Sequence, residues 1–174
     1  MEDEQTFLDC VSVHAPSLRR FARRLTGNLA DAEDVMQDTL MRALEKRGEL
    51  REPGRLRAWL LAIVRTCWLN SRRGLRSKLE VLCEGQCSGV ERGPRGDLER
   101  EILDRSLTDD LLQALEGLPR EWREALWLRE VEDLSYEEIA RVLDCPLGTV
   151  RSRLARARAA AAACLGKGDI HGMS

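Results

Sequence analysis

Histidine is scarce in this chain, and the residue patterns of catalytic sites are missing with it. Only His14 and His171 occur among 174 residues, and neither a glycine-rich phosphate loop nor an arrangement of nucleophile and base accompanies them. The six cysteines show no paired metal-ligand spacing. Cys83 and Cys87 form one C-x3-C pair without a nearby histidine, and structural indifference is favoured there over a redox or metal switch. The sequence predicts no enzyme, metal site, cofactor or small-molecule substrate.

Long apolar runs are absent as well. No segment has the length and hydrophobicity of a membrane span, and the N-terminal MEDEQTF is acidic where a secretory signal has a basic start and then an apolar run. We therefore expect a cytoplasmic location, in which cysteines stay reduced. The composition, 43% hydrophobic and 33% charged, is typical of a globular protein.

Net charge is small, but the charges are segregated along the chain. The formal net charge is −2, an average that by itself argues against a nucleic-acid partner. Residues 51–78, however, hold eight basic residues and one acid, and residues 148–167 hold four arginines, one lysine and no acid. Because charges are screened over roughly 8 Å at physiological salt, a polyanion responds to these local segments rather than to the average.

Strand alternation is also missing, and helical periodicity predicts an all-α protein. We expect the first helix to break near Pro16, to resume at Leu18 and to end at Gly27. Asn28 is the predicted cap of the second helix, whose first turn is acidic. The predicted apolar face of this second helix consists of Ala32, Val35, Met36, Leu40, Ala43 and Leu44.

The third helical segment has the most regular apolar pattern in the chain. Its apolar residues recur at steps of three and four, so both of its tryptophans are predicted to be core residues rather than platforms for a stacked base. The stripe consists of Leu56, Trp59, Leu60, Ile63, Val64, Cys67 and Trp68. From Lys78 the pattern gives way to glycine, proline and scattered charge. We predict two small helical domains, 1–77 and 105–166, joined by a flexible linker, 78–104, and followed by a tail, 167–174.

The second domain contains a predicted helix-turn-helix. A helix through Leu111 and Leu115 is expected to stop at Gly117, and another to start at Pro119. Ser135 and Glu138 have the spacing of a capping box, so the next helix should begin near Tyr136. Asp144, Cys145 and Pro146 should interrupt it, and a last helix should start at about Pro146.

The last helix has distinct predicted faces. Val150, Leu154, Ala157 and Ala161 share an inward side, whereas Ser152, Ala155, Arg156 and Ala159 lie opposite. Arg151, Arg153 and Arg158 occupy the flanks. Such a helix fits the major groove of DNA, with flanking arginines on phosphates and the outer side on base edges. The alternative, an ordinary surface helix, leaves the agreement of cap, turn and one-sided charge unexplained.

Three segments in this order resemble a bacterial sigma factor of the sigma-70 family. They are ADAEDVMQDTLMRAL (30–44), LRAWLLAIVR (56–65) and LSYEEIARVLDCPLGTVRSRLARAR (134–158). Without a long N-terminal or middle region, the chain is similar to the short extracytoplasmic-function (ECF) group, which keeps only sigma domains 2 and 4. The resemblance covers about residues 5–76 and 107–165.

The resemblance implies roles for particular residues. The acidic helix would dock on the coiled coil of the largest subunit of core RNA polymerase, and domain 4 on the flap. The docking residues would be Asp31, Asp34, Gln37 and Asp38. Contacts with the minus-10 promoter element, including strand opening, would come from Arg57, Arg65, Thr66, Asn70, Arg72 and Arg73. Contacts with the minus-35 element would come from Thr149, Arg151, Ser152, Arg153, Arg156 and Arg158.

The resemblance also implies an inhibitor and leaves details open. ECF sigma factors are commonly silenced by an anti-sigma factor, often membrane-bound, which would hold the protein at the inner membrane. The family often has Asn and Asp where this chain has Thr66 and Asn70, so base preference at minus-10 is not fixed. Target promoters, stimulus and inhibitor are not named by these residues. The alternative hypothesis is a stand-alone helix-turn-helix regulator, which leaves the acidic helix and the basic third helix unexplained.

Overall fold

The computed structural model describes residues 4–50, 52–82 and 117–168, with the backbone alone described at 74–82 and 164–168. Within these residues the fold is all-α: six α-helices and two single 3-10 turns, without a strand. The helices belong to two compact units, one on each side of residues 83–116. The predicted fold class is confirmed. The helix through Leu111, the pair Cys83 and Cys87, and His171 lie outside the described residues.

The N-terminal unit consists of three helices packed against one another. They are α1 (Glu4–Thr26), α2 (Leu29–Glu45) and α3 (Leu56–Leu82), and 3-10 turns at Arg47–Glu49 and Pro53–Arg55 connect α2 to α3. Side chains from α1 and α3 that are almost fully removed from solvent form the centre of the core: Phe7, Leu18, Phe21, Leu60, Leu61 and Val64.

Helix α1 does not break at Pro16, and that prediction is wrong. The helix runs from Glu4 to Thr26 with Pro16 inside it. A proline in a helix interior removes one backbone hydrogen bond and typically costs about 3 kcal/mol. Here Pro16 is exposed, while Val11 on the preceding turns and Leu18 on the following one are buried in the same core. Packing on both sides of the proline therefore outweighs the local preference for a break.

The predicted junction between α1 and α2 is confirmed. Gly27 has φ 77°, a left-handed conformation that favours glycine, and its N–H donates to the carbonyl of Arg23 at 2.9 Å. Asn28 caps α2, its side-chain oxygen accepting from the N–H of Asp31 at 2.8 Å. Because these contacts join residues that are close in sequence, the start of α2 is determined locally.

The apolar face of α2 differs from the prediction chiefly at Leu40. Ala32, Val35, Met36 and Ala43 are buried as expected and Leu44 is half-buried, but Leu40 is 37% exposed. Thr39 is fully buried in its place. A threonine can occupy an apolar core because its hydroxyl donates to the carbonyl of Val35 on its own helix, at 2.7 Å. Hydrophobicity alone could not predict that Thr39, rather than Leu40, is buried in the core.

Helix α3 contributes the predicted stripe to the core. Trp68 is 3% exposed, whereas Trp59 is only half-buried and contacts Phe7 edge-to-face, with ring centroids 6.4 Å apart. The prediction of a core role is thus confirmed for Trp68 and holds in part for Trp59. The helical backbone also continues through Lys78 to Leu82, residues that were expected to belong to the linker.

In its described residues, 117–168, the C-terminal unit is also formed by three helices. Helices α4 (Arg120–Glu130), α5 (Tyr136–Leu143) and α6 (Leu147–Gly168) enclose a small core. Its buried apolar residues are Leu118, Ala125, Trp127, Leu128, Leu134, Ile139, Val142, Leu143, Val150, Leu154 and Ala157. None of the helices in the described part of the chain is long and apolar enough to cross a membrane.

His14 makes the stability of the N-terminal unit depend on pH. Burial, and then the positive charge of Arg57 on α3, lower the pKa of His14 below its ordinary value of 6.5. Above the pKa that His14 has in the unfolded chain, its side chain is neutral in both the folded and the unfolded state. The free energy of unfolding is then not reduced by His14. As the pH falls from the unfolded pKa towards the lower folded pKa, the unfolded chain binds the proton first, so the free energy of unfolding decreases.

We therefore expect the wild-type chain to lose more stability than His14→Gln between about pH 7 and pH 5, where histidine titrates. Urea unfolding of both full-length chains at each pH measures this difference. Carboxylate titration is common to the two chains and cancels. Equal losses in the two chains would contradict the prediction.

Candidate nucleic-acid interface

The turn between α5 and α6 has the local geometry that the sequence predicts. Ser135 accepts from the N–H of Glu138 at 3.3 Å, and the carboxylate of Glu138 accepts from the N–H of Ser135 at 2.8 Å, forming the capping box. Asp144 ends α5 with φ 50°, and the N–H of Cys145 donates to the carbonyl of Ala140 at 3.0 Å. Helix α6 then begins at Leu147, directly after Pro146. The predicted helix-turn-helix is confirmed.

The capping box gives a direct test of this local structure. Ser135→Ala removes the side-chain acceptor and leaves an N–H of the first turn without it, which typically costs about 1 kcal/mol. We expect the free energy of unfolding to fall by about that amount in thermal or urea unfolding. Ser135→Asp should retain most of the stabilisation that the cap provides, because aspartate is an equally good cap. A loss of the same size in both variants would show that the cap does not stabilise α5.

Helix α6 presents the two faces predicted for it. Val150, Leu154 and Ala157 are buried and Ala161 is half-buried, whereas the opposite side is exposed. That exposed side contains Ser152, Ala155, Arg156 and Ala159. The hydroxyl of Ser152 donates to the carbonyl of Thr149 at 3.0 Å, which leaves its oxygen lone pairs outward. An exposed surface of small residues with one serine and one arginine lets the helix approach another surface closely.

Arg156 is accompanied by an aromatic residue that the sequence pattern does not single out. Its guanidinium carbon lies 5.9 Å from the ring centroid of Trp122, which is half-buried on α4. A guanidinium over an indole face is stabilised by a cation–π interaction of about 0.5–1 kcal/mol at an exposed site. Trp122 therefore limits the directions in which Arg156 can extend. The two residues are 34 positions apart in the sequence, which is why sequence periodicity gives no sign of this pair.

The flanking arginines of α6 fall into two groups. Arg153 donates to the carboxylate of Glu121 at 2.8 Å, and Arg158 to that of Glu130 at 2.8 Å, so both are joined to α4. Hydrogen bonds that the Arg158 guanidinium donates to Glu130 and then to Tyr136 raise the pKa of Arg158 above its ordinary value. Arg151 is exposed and, among the described residues, has no carboxylate partner. The arginines predicted to contact phosphates thus differ: Arg153 and Arg158 are paired with carboxylates of α4, whereas Arg151 is not paired with a carboxylate of the described residues.

Helix α3 brings most of the second predicted group together. Thr66, Asn70 and Arg73 recur at steps of four and three and share one side of the helix, on which Thr66 and Arg73 are exposed and Asn70 is half-buried. Arg65 and Arg72, seven residues apart, lie together on another side of α3, and both are half-buried. Arg72 lies over the ring of Trp68, 5.6 Å from its centroid. We call Arg65, Thr66, Asn70, Arg72 and Arg73 the α3 polar stripe.

Arg57 is not part of the α3 polar stripe. It precedes Thr66 by nine residues, about two and a half helical turns, and so projects from the side of α3 opposite Thr66. It is half-buried there, and its charge acts on His14 of α1. Proximity in sequence groups Arg57 with Thr66, Asn70 and Arg73, whereas the helix places it on the opposite side from these three.

Helix α2 exposes the four predicted docking residues on the side away from the core. Asp31, Asp34, Gln37 and Asp38 are all exposed, although the carboxylate of Asp31 also accepts a hydrogen bond from Asn28 at 2.6 Å. Met41, 62% exposed, lies on the same side as Asp34 and Asp38. We call the four docking residues and Met41 the α2 acidic surface. Met41 lies outside the predicted apolar face of α2, and the docking residues that the family resemblance implies do not include it.

Comparison with known proteins identifies both units. The chain matches Sigma-70 region 2 over residues 10–78 and Sigma-70, region 4, over residues 108–160. It is 40% identical over 153 residues to the ECF RNA polymerase sigma factor SigE of Mycolicibacterium smegmatis, covering 86% of this chain and 58% of that protein. It is 33% identical over 157 residues to the ECF RNA polymerase sigma factor EcfG of Rhodopseudomonas palustris, covering 90% and 83%.

A solved structure agrees with these relatives. The sigma factor RpoE from Bartonella quintana, in its co-crystal structure with the anti-sigma factor NepR, is similar with a TM-score of 0.65 and 29% identity, over 94% of this chain and 96% of that one. The fold is that of a sigma factor. The chain belongs to the ECF group of the sigma-70 family of RNA polymerase sigma factors. The resemblance seen in the sequence is confirmed.

Proposed function

We propose that this chain is an alternative sigma factor that binds core RNA polymerase, directs it to specific promoters and helps to open them. The observation that carries the proposal is that one chain exposes three different surfaces: an acidic one on α2, a polar and basic one on α3, and the outer side of α6 in a helix-turn-helix. A duplex-binding regulator needs only the last of these. Polymerase docking and strand opening give the other two a purpose.

The α2 acidic surface is the proposed docking site for the coiled coil of the largest polymerase subunit. Its acids are exposed and are not needed to hold the core, which is formed by the opposite side of α2. Acids around an exposed methionine fit a basic partner with an apolar contact, because charge steers the encounter and the thioether is buried on contact. Domain 4 would dock on the polymerase flap, as the family resemblance implies.

The α3 polar stripe is the proposed contact with the minus-10 element. Holding a separated strand requires positive charge along the backbone and polar groups for an unstacked base. Arg65, Arg72 and Arg73 provide the charge, and Thr66 and Asn70 provide the polar groups. The Thr66 hydroxyl donates to the carbonyl of Ala62 at 2.9 Å, so it would act towards a base mainly as an acceptor. Any contact by Arg57 would be with a different part of the DNA.

The outer side of α6 is the proposed contact with the minus-35 element. Ser152 and Arg156 face base edges, and Thr149, Arg151, Arg153 and Arg158 lie near the backbone. A bidentate arginine–guanine pair discriminates against a wrong base by about 1–3 kcal/mol. One such contact is modest, so promoter specificity requires both units to be engaged on one DNA while bound to polymerase.

Transcription with purified core polymerase tests the proposal. Start sites mapped after overproduction of the protein supply the templates, and core enzyme with and without the full chain is then assayed on them. We expect initiation at a defined set of starts only when the chain is present, together with a stable complex with core. Absence of both would refute the proposal. Dimeric binding to a palindromic duplex without core would support the stand-alone regulator instead.

We also propose that an anti-sigma factor inhibits this protein, that the active protein is in the cytoplasm, and that its function involves no catalysis. The Bartonella relative was crystallised with an anti-sigma factor, and we extend such a partner to this chain. Both proposed DNA contacts require access to the chromosome, so we expect the active protein in the cytoplasm; a membrane-bound inhibitor would hold the inactive protein at the inner membrane. No step of this function requires a catalytic residue, since the protein acts by binding.

A further inference from the structure

The two acids that hold arginines of α6 lie at the two ends of α4. Glu121 is in the first turn and Glu130 is the last residue of that helix. They contact Arg153 and Arg158 at 2.8 Å each. These pairs join residues 32 and 28 positions apart. They are therefore tertiary contacts between α4 and α6, and they differ from the pairs between neighbouring turns of one helix that a solvated surface commonly has.

The two ion pairs are accessible rather than buried. The side chains of Arg158 and Glu130 are 49% and 53% exposed, and those of Arg153 and Glu121 are 18% and 55% exposed. Such pairs contribute little to stability, typically about 0.2–1 kcal/mol. DNA phosphates can displace them, because each acid and each phosphate offers the same kind of oxygen acceptor to the guanidinium. The pairs must be broken or shared when α6 enters a groove.

We propose that Glu121 and Glu130 are internal counter-charges that lower the affinity of α6 for duplex DNA. This inference rests on the proposed function of α6. While the acids are in place, Arg153 and Arg158 are neutralised and only the other arginines of the helix attract phosphates freely. The free protein is thereby kept from binding DNA of any sequence, and productive binding depends on the additional contacts made in the polymerase complex.

The acids could instead orient the two arginines for their phosphates, and the sign of one substitution separates the two effects. An orienting acid improves binding, so Glu→Gln would weaken the affinity for DNA. A counter-charge competes with phosphate, so Glu→Gln would strengthen it. Because every duplex presents phosphates, the counter-charge effect is the same for promoter and non-promoter DNA.

The test is fluorescence anisotropy of a labelled mixed-sequence duplex with the full chain. We expect Glu121→Gln and Glu130→Gln each to strengthen binding about 2- to 5-fold at low salt, and the double variant by the product of the two, since each removes an exposed pair. The slope of log affinity against log salt should steepen by about 0.9 for each additional phosphate that the protein neutralises. Glu137→Gln is the matched control, because it removes the same charge from an exposed position on α5. Glu137 has no ion pair among the described residues.

Three outcomes would overturn the inference. Unchanged or weaker binding by the double variant is the first, and an unchanged salt slope is the second. The third is an equal increase in affinity in Glu137→Gln, which would show an effect of net charge alone. Thermal unfolding of each variant confirms that the unit is folded. Promoter-specific transcription by core enzyme tests the proposed function separately: if it succeeds while the duplex affinities do not change, only the counter-charge role fails, and if it is absent, the proposed function fails whatever the affinities show.

Discussion

Arg156→Ala is expected to lower transcription from cognate promoters roughly 5- to 150-fold, the equivalent of losing a contact of about 1–3 kcal/mol with one base. Arg156 is exposed on the outer side of α6 and is held over Trp122. Its removal therefore takes no side chain out of the hydrophobic core of the C-terminal unit. Binding to core polymerase should persist. The measurement is initiation by reconstituted holoenzyme at promoter concentrations below saturation, with core affinity determined in parallel.

Arg156→Lys is the matched control for this prediction. Lysine keeps the charge but lacks the planar fork that makes two hydrogen bonds to guanine. We expect it to retain non-specific affinity and to lose most of the preference at a single minus-35 position. If Arg156→Ala lowered core affinity as much as promoter use, the division of roles between α2 and α6 would be wrong.

Reversing charge on the α2 acidic surface is expected to have an effect of similar size on a different step. Asp34→Lys with Asp38→Lys should weaken core binding roughly 30-fold or more, because loss of one partner of an interfacial charge pair costs about 2–5 kcal/mol. Both side chains are exposed, so the fold should be retained. Competition for core enzyme, measured by native gel or anisotropy, gives the affinity.

Asp9→Lys serves as the control for the charge reversal. Asp9 is exposed on α1, and its carboxylate accepts only a surface hydrogen bond from Gln5 among the described residues. The Asp9→Lys variant should bind core polymerase as the wild type does. Duplex binding by the Asp34 and Asp38 variant should not decrease, since added positive charge cannot repel DNA. Unchanged core affinity in that variant would place the docking site elsewhere on the chain.

Local structure was predictable wherever neighbouring residues determine it. The cap at Asn28, the left-handed Gly27 and the capping box at Ser135 each depend on contacts within about four residues, and each is found as expected. Predictions were wrong where packing opposes a local preference. Pro16 continues α1 because buried residues hold both sides of it, and Thr39 replaces Leu40 in the core because its hydroxyl is satisfied by its own helix.

The two interfaces could be predicted only in part. Helical periodicity correctly gave the inward side of α6, and the motifs gave the family. Arg57 was grouped with the minus-10 residues by the family resemblance, although its spacing of nine residues from Thr66 puts the two on opposite sides of a helix. Met41 lies outside the predicted apolar face of α2, but the resemblance did not include it among the docking residues. The exposure of Met41 in the structure, 62%, adds it to the α2 acidic surface.

The sequence by itself determined the class of protein, the helix caps and most of the residues that face inward, because capping, periodicity and motif order act over short separations. Only the tertiary structure decided the electrostatic state of the arginines on α6. Arg153 and Arg158 meet acids of α4 that lie 32 and 28 residues away, whereas Arg151 does not. Four similar arginines in the sequence thus become different in the fold, because the charge that each one presents depends on the residues that folding places beside it.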